Sequence, residues 1–125
     1  MRLLLDTHTF LWWITDAPRL SAEARAAVAS PSNAVSISAA TVWELAIKRA
    51  SGKLEVDVDL GEQIELSGFS ALPITIEHGL AAGALPPHHG DPFDRMLIAQ
   101  AKAEGLTIVT RDRDFEPYGV EILRA

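Results

Sequence analysis

Arg2-Leu3-Leu4-Leu5-Asp6-Thr7 is apolar on consecutive residues and closes on a carboxylate. A strand covered on one face alternates apolar with polar side chains, whereas one covered on both faces is apolar throughout. Arg2 to Asp6 therefore reads as a buried parallel strand at the point where it meets its loop. Helix follows from Thr7 to Ile14, and Ser21 opens a second helix whose alanine-rich stretch runs to Ala29 before Pro31 and Asn33 stop it. Ala34 to Ile37 is β-rich, and Ser38 is an N-cap candidate for a helix through Ala50 that Gly52 ends. Ala39, Val42, Trp43, Ala46 and Ala50 make an apolar stripe at helical period on that helix.

Farther along, the pattern predicts a polar helix from Asp59 to Leu66 ended by Gly68, a short strand at Leu72 to Ile74, and a helix from Thr75 to Ala82 closed by Gly83. Ala84 to Gly90, with Pro86-Pro87 and His88-His89, reads as a loop. Asp91-Pro92 then opens a helix to about Glu104, with proline at the first helical position and Gly105 as C-cap. Strands are expected at Leu106 to Val109 and Val120 to Leu123. Strands and helices alternate, so the expected class is α/β with a parallel sheet. Without repeat, low-complexity tract or linker, residues 1–125 are expected to form a single domain.

The composition narrows the functions available. The 125 residues are 48% hydrophobic, contain no cysteine and carry 11 Lys+Arg against 17 Asp+Glu, for a formal charge of −6. About half apolar is enough for one continuous core. Disulfides and thiolate metal sites are excluded, and a cysteine-free chain is compatible with a reducing cytosol. Leu3 to Leu5 falls far short of a signal peptide or membrane span. Net acidity argues against holding nucleic acid by bulk charge, which needs Lys and Arg against phosphates. Any nucleic-acid chemistry must be local, or assisted by a cation or partner.

Open parallel sheets bind ligands outside the carboxyl ends of their strands, near the reversal of strand order. Asp6 closes the first strand, Asp112 follows the strand ending at Val109, and Asp94 lies in the first turn of the helix just before that strand. Glu44 lies about two turns into the helix after Ala34 to Ile37. Converging carboxylates repel unless a divalent cation neutralises them. Oxygen ligands without cysteine favour Mg²⁺ or Mn²⁺, and such a site supports phosphodiester hydrolysis.

Each acid also has a plainer reading. Asp6 can cap the helix that begins at Thr7, Glu44 can pair with Lys48 one turn on, and Asp94 can complement the helix dipole. Asp91 reads as an N-cap before Pro92, and Asp112 and Asp114 as turn residues. The inference rests on the set. His8, His88 and His89 lack metal-ligand spacing and read as surface or capping residues. Trp12-Trp13 reads as core or subunit contact. Lys48, Arg95 and Arg111 adjoin the acids and are candidates to hold a substrate's phosphate backbone.

Four segments carry a family resemblance: Leu3-Leu4-Leu5-Asp6-Thr7-His8, Ser38 to Lys48 with its Trp43-Glu44-Leu45, His89-Gly90-Asp91-Pro92-Phe93-Asp94-Arg95 with its continuation to Ala101, and Val109-Thr110-Arg111-Asp112. In order and spacing they resemble a PIN-domain ribonuclease, and more narrowly the VapC-type toxin of type II toxin–antitoxin modules. The resemblance implies a five-stranded parallel sheet flanked by helices and a metal-dependent endoribonuclease that uses a metal-activated water. It implies Asp6, Glu44 and Asp94 as core acids and catalytic metal ligands, Asp112 as the fourth with Asp114 as backup, and Thr7 and Thr110 as supporting residues. It further implies Mg²⁺ or Mn²⁺ as cofactor, an RNA substrate, a cytoplasmic homodimer and inhibition by a cognate VapB-type antitoxin. Two other readings use the same elements. One is a PIN-like binding module without turnover. The other is a Mg²⁺-dependent phosphoacceptor domain, disfavoured because Asp6 is followed by Thr7 and His8 rather than an acid, and no lysine follows Thr110 where that chemistry needs one.

Overall fold

A computed structural model describes all residues from Met1 to Ala125. Its five strands are β1 (Arg2–Leu5), β2 (Ala34–Ser38), β3 (Ser70–Leu72), β4 (Thr107–Thr110) and β5 (Ile122–Arg124). They form one sheet of order β3-β2-β1-β4-β5, parallel at every pairing. The chain builds outward from β1 in one direction through β2 and β3, then crosses to the other side for β4 and β5. Strand order therefore reverses between β1 and β4.

Helices α1 (Thr7–Ile14), α2 (Ala22–Ala29), α3 (Ala39–Ala50), α4 (Leu60–Leu66), α5 (Ile76–Ala84) and α6 (Pro92–Glu104), with a 3₁₀ helix at Arg113–Tyr118, cover both faces. The uniform apolarity of β1 is explained by two separate cores. Leu3 and Leu5 pack with Phe10, Val28, Ile37, Leu45 and Ile64 on one face. Leu4, pointing the opposite way, packs with Leu97, Ile98, Ile108 and Phe115 on the other. Every buried side-chain nitrogen or oxygen has a hydrogen-bond partner. No helix is long and apolar enough to cross a membrane.

Local chemistry sets most boundaries. The side chains of Asp6, Ser21, Ser38, Asp59, Thr75 and Asp91 each accept from a backbone N–H in the first turn of α1 to α6 in that order. Gly105 ends α6 at φ 67°, a left-handed conformation that costs glycine nothing.

Expected bounds need correction at β3, at α5 and at β5, which spans Ile122–Arg124 rather than Val120 to Leu123, and packing decides the facing of α3. The third strand is Ser70–Leu72 rather than Leu72 to Ile74, because Pro73 has no N–H to continue the ladder. Helix α5 runs through Gly83 to Ala84 before Leu85 leaves the helix. The apolar stripe of α3 faces outward: Ala40, Thr41, Glu44 and Leu45 are its buried residues, while Trp43 is 62% exposed. Trp43 packs edge-on against Phe93, and Val42, Trp43 and Ala46 line a surface groove with Leu72 and Pro73. The rotation carries Glu44 inward.

Candidate active site

The carboxyl ends of β1, β2 and β4 and the N-terminus of α6 meet on one edge of the sheet. Asp6, one residue past β1, is only 3% exposed. Its Oδ1 accepts from the Thr9 N–H at 2.9 Å, so the capping role is real. Its Oδ2 accepts from the Thr110 hydroxyl at 2.6 Å, which links the end of β1 to the end of β4. Thr110 Oγ1 in turn accepts from the Asp112 N–H at 3.0 Å, and Asp112 caps the 3₁₀ helix by accepting from the Asp114 N–H.

On the other side of Asp6, the Thr7 hydroxyl donates to Glu44 Oε1 at 2.6 Å. Glu44 Oε2 lies 3.1 Å from Lys48 Nζ, the one-turn pair foreseen from sequence. That pairing does not bring Glu44 to the surface, since the residue is buried. The supporting positions Thr7 and Thr110 are therefore each hydrogen-bonded to a carboxylate.

Asp94 enters from the first turn of α6, behind the Asp91 cap that accepts from the N–H groups of Phe93 and Asp94. Burial pushes its carboxyl up to about 6; a hydrogen bond from His89 opposes this, and the negative charges of Asp91 and Asp6 reinforce it. The influence of Asp6 on Asp94 closes the ring electrostatically. His89 Nε2 sits 2.8 Å from Asp94 Oδ2, and its Nδ1 lies 3.8 Å from Asp114 Oδ2. The hydrogen bond to Asp94 raises the imidazole's affinity for its proton above the ordinary histidine value; burial opposes this, and the charges of Asp94, Asp114 and Asp91 favour it.

Thus Glu44, Thr7, Asp6, Thr110, Asp112, Asp114, His89 and Asp94 form a chain of neighbours along one edge of the sheet. Donor atoms of His89, Asp112 and Asp114 alone fall within 4.8 Å of one another. Sequence reasoning set His89 aside as a surface or capping residue, and the structure corrects that. No local spacing carried the signal, because the contact depends on how residues 85–91 fold back over α6.

Two of the three proposed phosphate contacts also need correction. Arg95 points away from the acids and donates to the carbonyls of Ala82 and Leu85 at 2.8 and 2.9 Å, and to those of Pro86 and His89 at 2.9 and 3.3 Å. Arg111 donates to the carbonyls of Ala125 and Arg19, with its guanidinium 4.8 Å above the Trp12 ring. Both are consumed by backbone carbonyls. Lys48 alone of the three lies against a site acid. Trp13 packs on Phe69 and donates to Ser67 Oγ, so the tryptophan pair serves packing.

A doubly wound parallel domain with carboxylates gathered at its strand-order reversal is the class this fold and site define. The chain belongs to the PIN domain family, whose model matches residues 3–120. It is 30% identical over 114 residues to "Ribonuclease VapC22" of Mycobacterium tuberculosis, spanning 89% of this chain and 87% of that protein. The fold is shared with a chain in the DNA-bound VapBC2 structure from Rickettsia felis, at TM-score 0.74 and 18% identity over 99% of this chain and 98% of that one. A chain in DNA-bound VapBC from Salmonella typhimurium matches at TM-score 0.72 and 23% identity, with the same coverage of 99% and 98%.

Proposed function

We propose that this protein is a metal-dependent endoribonuclease acting as the toxin of a VapBC-type toxin–antitoxin module, with Asp6, Glu44, Asp94 and Asp112 as its catalytic acids. The observation that carries the reading is the ring itself. Asp6, Glu44 and Asp94, from three distant segments, are each held by a threonine hydroxyl or an imidazole at one edge of the sheet, Asp112 joins them through the Thr110 hydroxyl that its N–H reaches, and Lys48 is the one lysine paired with an acid of the set. The acidity of the chain suits a basic inhibitory segment of a partner antitoxin, and the reading places the protein in the cytoplasm as a homodimer.

The donor set fits a hard divalent cation. Carboxylate oxygens dominate, no thiolate exists in the chain, and buried Asp6 is engaged only by the Thr9 N–H and the Thr110 hydroxyl, with no cationic side chain paired to it. Asp6, Glu44, Asp94 and Asp112 would hold it, Mg²⁺ by preference with Mn²⁺ as a substitute, and Asp114 is the alternative fourth acid. When bound, the ion supplies Lewis-acid activation of water and charge stabilisation at the scissile phosphate.

The chain's own residues prepare that chemistry. Thr9 N–H and the Thr110 hydroxyl each engage one oxygen of Asp6, and Thr7 engages one oxygen of Glu44, so neither carboxylate turns freely. Fixing charged groups before substrate arrives removes reorganisation from the reaction step. Lys48 is partly exposed and is the cation placed to meet a phosphate beside the acids.

The test is cleavage of RNA by purified, antitoxin-free protein. The expected result is Mg²⁺-dependent cleavage that a chelator stops and that a folded Asp6→Asn variant lacks. Full cleavage by that variant would refute the assignment, and the same variant controls for contaminating ribonuclease.

A further inference from the structure

We infer that His89 is a positioning residue of the acidic site, an Nε2–H donor that fixes the orientation of the Asp94 carboxylate from a loop clamped to the same helix. The inference rests on the metal reading above and extends it to a residue outside the acids. His89 Nε2 lies 2.8 Å from Asp94 Oδ2, and an ionised carboxylate oxygen can only accept, so the imidazole donates. That bond occupies one oxygen of Asp94 while the other makes no hydrogen bond within the chain. Hydrogen-bonded partners of metal-binding side chains set ligand orientation in this way.

The loop that carries His89 is held with unusual thoroughness. The His89 N–H donates to Tyr118 Oη at 2.7 Å, and the Tyr118 hydroxyl donates back to the His89 carbonyl at 3.3 Å. Arg95, the residue after Asp94, donates to the carbonyls of Ala82, Leu85, Pro86 and His89. The rigid planar fork of a guanidinium suits it to gather several acceptors at fixed geometry. Helix α6 therefore supplies both the carboxylate and the anchor for the imidazole that orients it. A histidine serving only as loop surface would need none of this. His88, its neighbour, makes no such set of bonds and stacks edge-on against Tyr118.

Calorimetric titration of the metal-free protein with Mn²⁺, in the absence of RNA, tests the assignment. Melting temperatures taken without metal establish that each variant is folded. His89→Ala should bind Mn²⁺ about ten-fold more weakly than wild type. His89→Gln places an amide N–H near the position of Nε2 and should recover most of that loss. Wild-type affinity in His89→Ala would overturn the assignment, as would a His89→Gln variant no better than His89→Ala, since the imidazole would then act as a direct ligand or not at all. A wild-type protein that binds no Mn²⁺ would instead overturn the metal reading and this assignment with it. Should His89→Ala not fold, nitrogen-15 spectra of the wild-type imidazole decide: a proton on Nε2 supports the role, and a neutral ring protonated only on Nδ1 overturns it.

Discussion

The Thr110 hydroxyl donates to Asp6 Oδ2 at 2.6 Å across 104 residues of sequence, joining the ends of β1 and β4 where strand order reverses. A hydrogen bond to a charged, buried acceptor contributes about 1.5–3 kcal/mol. This bond also sets which way Asp6 faces, so it belongs to both stability and chemistry.

Thr110→Val keeps the side-chain shape and removes the donor. It should lower stability by about 1–3 kcal/mol, because an Asp6 oxygen and the Asp112 N–H both lose a buried partner. RNA cleavage should fall with it, and Thr110→Ser should restore both. Urea unfolding paired with a cleavage assay reads the two effects; a valine variant with wild-type stability and rate would remove Thr110 from the site.

Lys48→Met should weaken RNA binding and flatten its salt dependence by about one unit of slope, as expected for one lost phosphate contact. Divalent-ion affinity should hold or improve, because Lys48 no longer competes for Glu44 Oε2. RNA-binding isotherms on an Asp6→Asn background across a salt series read the first effect and Mn²⁺ calorimetry of Lys48→Met alone reads the second; an unchanged slope would exclude Lys48 as a phosphate contact.

Arg111→Met should behave in the opposite way. Its guanidinium serves the carbonyls of Ala125 and Arg19 and the Trp12 ring, so stability should fall by about 1–2 kcal/mol with the RNA salt slope unchanged. A reduced slope at wild-type stability would return Arg111 to the substrate path.

The pH dependence follows from Asp94, raised from 3.8 to about 6. A carboxyl that holds its proton more tightly when folded adds stability below its unfolded value, and that increment is lost as pH rises through about 6. His89 is raised as well, so its increment is present at low pH and disappears as pH climbs through its folded value. The stability of metal-free wild type relative to Asp94→Asn should therefore decline from about pH 4 to about pH 7. Divalent-ion affinity should rise over the same range, because the proton on Asp94 must leave first. Denaturation and Mn²⁺ titrations across pH check both signs, and parallel trends would contradict the assignment.

Much of this architecture was legible in the chain. The unbroken apolarity of Leu3 to Leu5 marks a strand covered twice, and Asp91, Pro92 and Gly105 bracket α6 through short-range rules that need no tertiary knowledge. Asp6, Glu44, Asp94 and Asp112 fall on the elements expected to carry them. The facing of α3 was not legible, because its outward stripe of Val42, Trp43 and Ala46 is as apolar as a core stripe, and only packing against α1 and α6 chooses between them. The 3₁₀ helix at Arg113–Tyr118 lacks periodicity and contains Pro117, so nothing local announces it. The fates of His89, Arg95 and Arg111 depend on loop carbonyls and on Tyr118, partners brought near only by the finished fold.

Anomalous diffraction from a crystal soaked in Mn²⁺ tests the central claim most directly. The expected result is a peak at the strand-order reversal with carboxylate oxygens of Asp6 and Asp94 within about 2.5 Å of it. A peak confined to the outer His89, Asp112 and Asp114 cluster, or no peak beside Asp6 at saturating Mn²⁺, would contradict it.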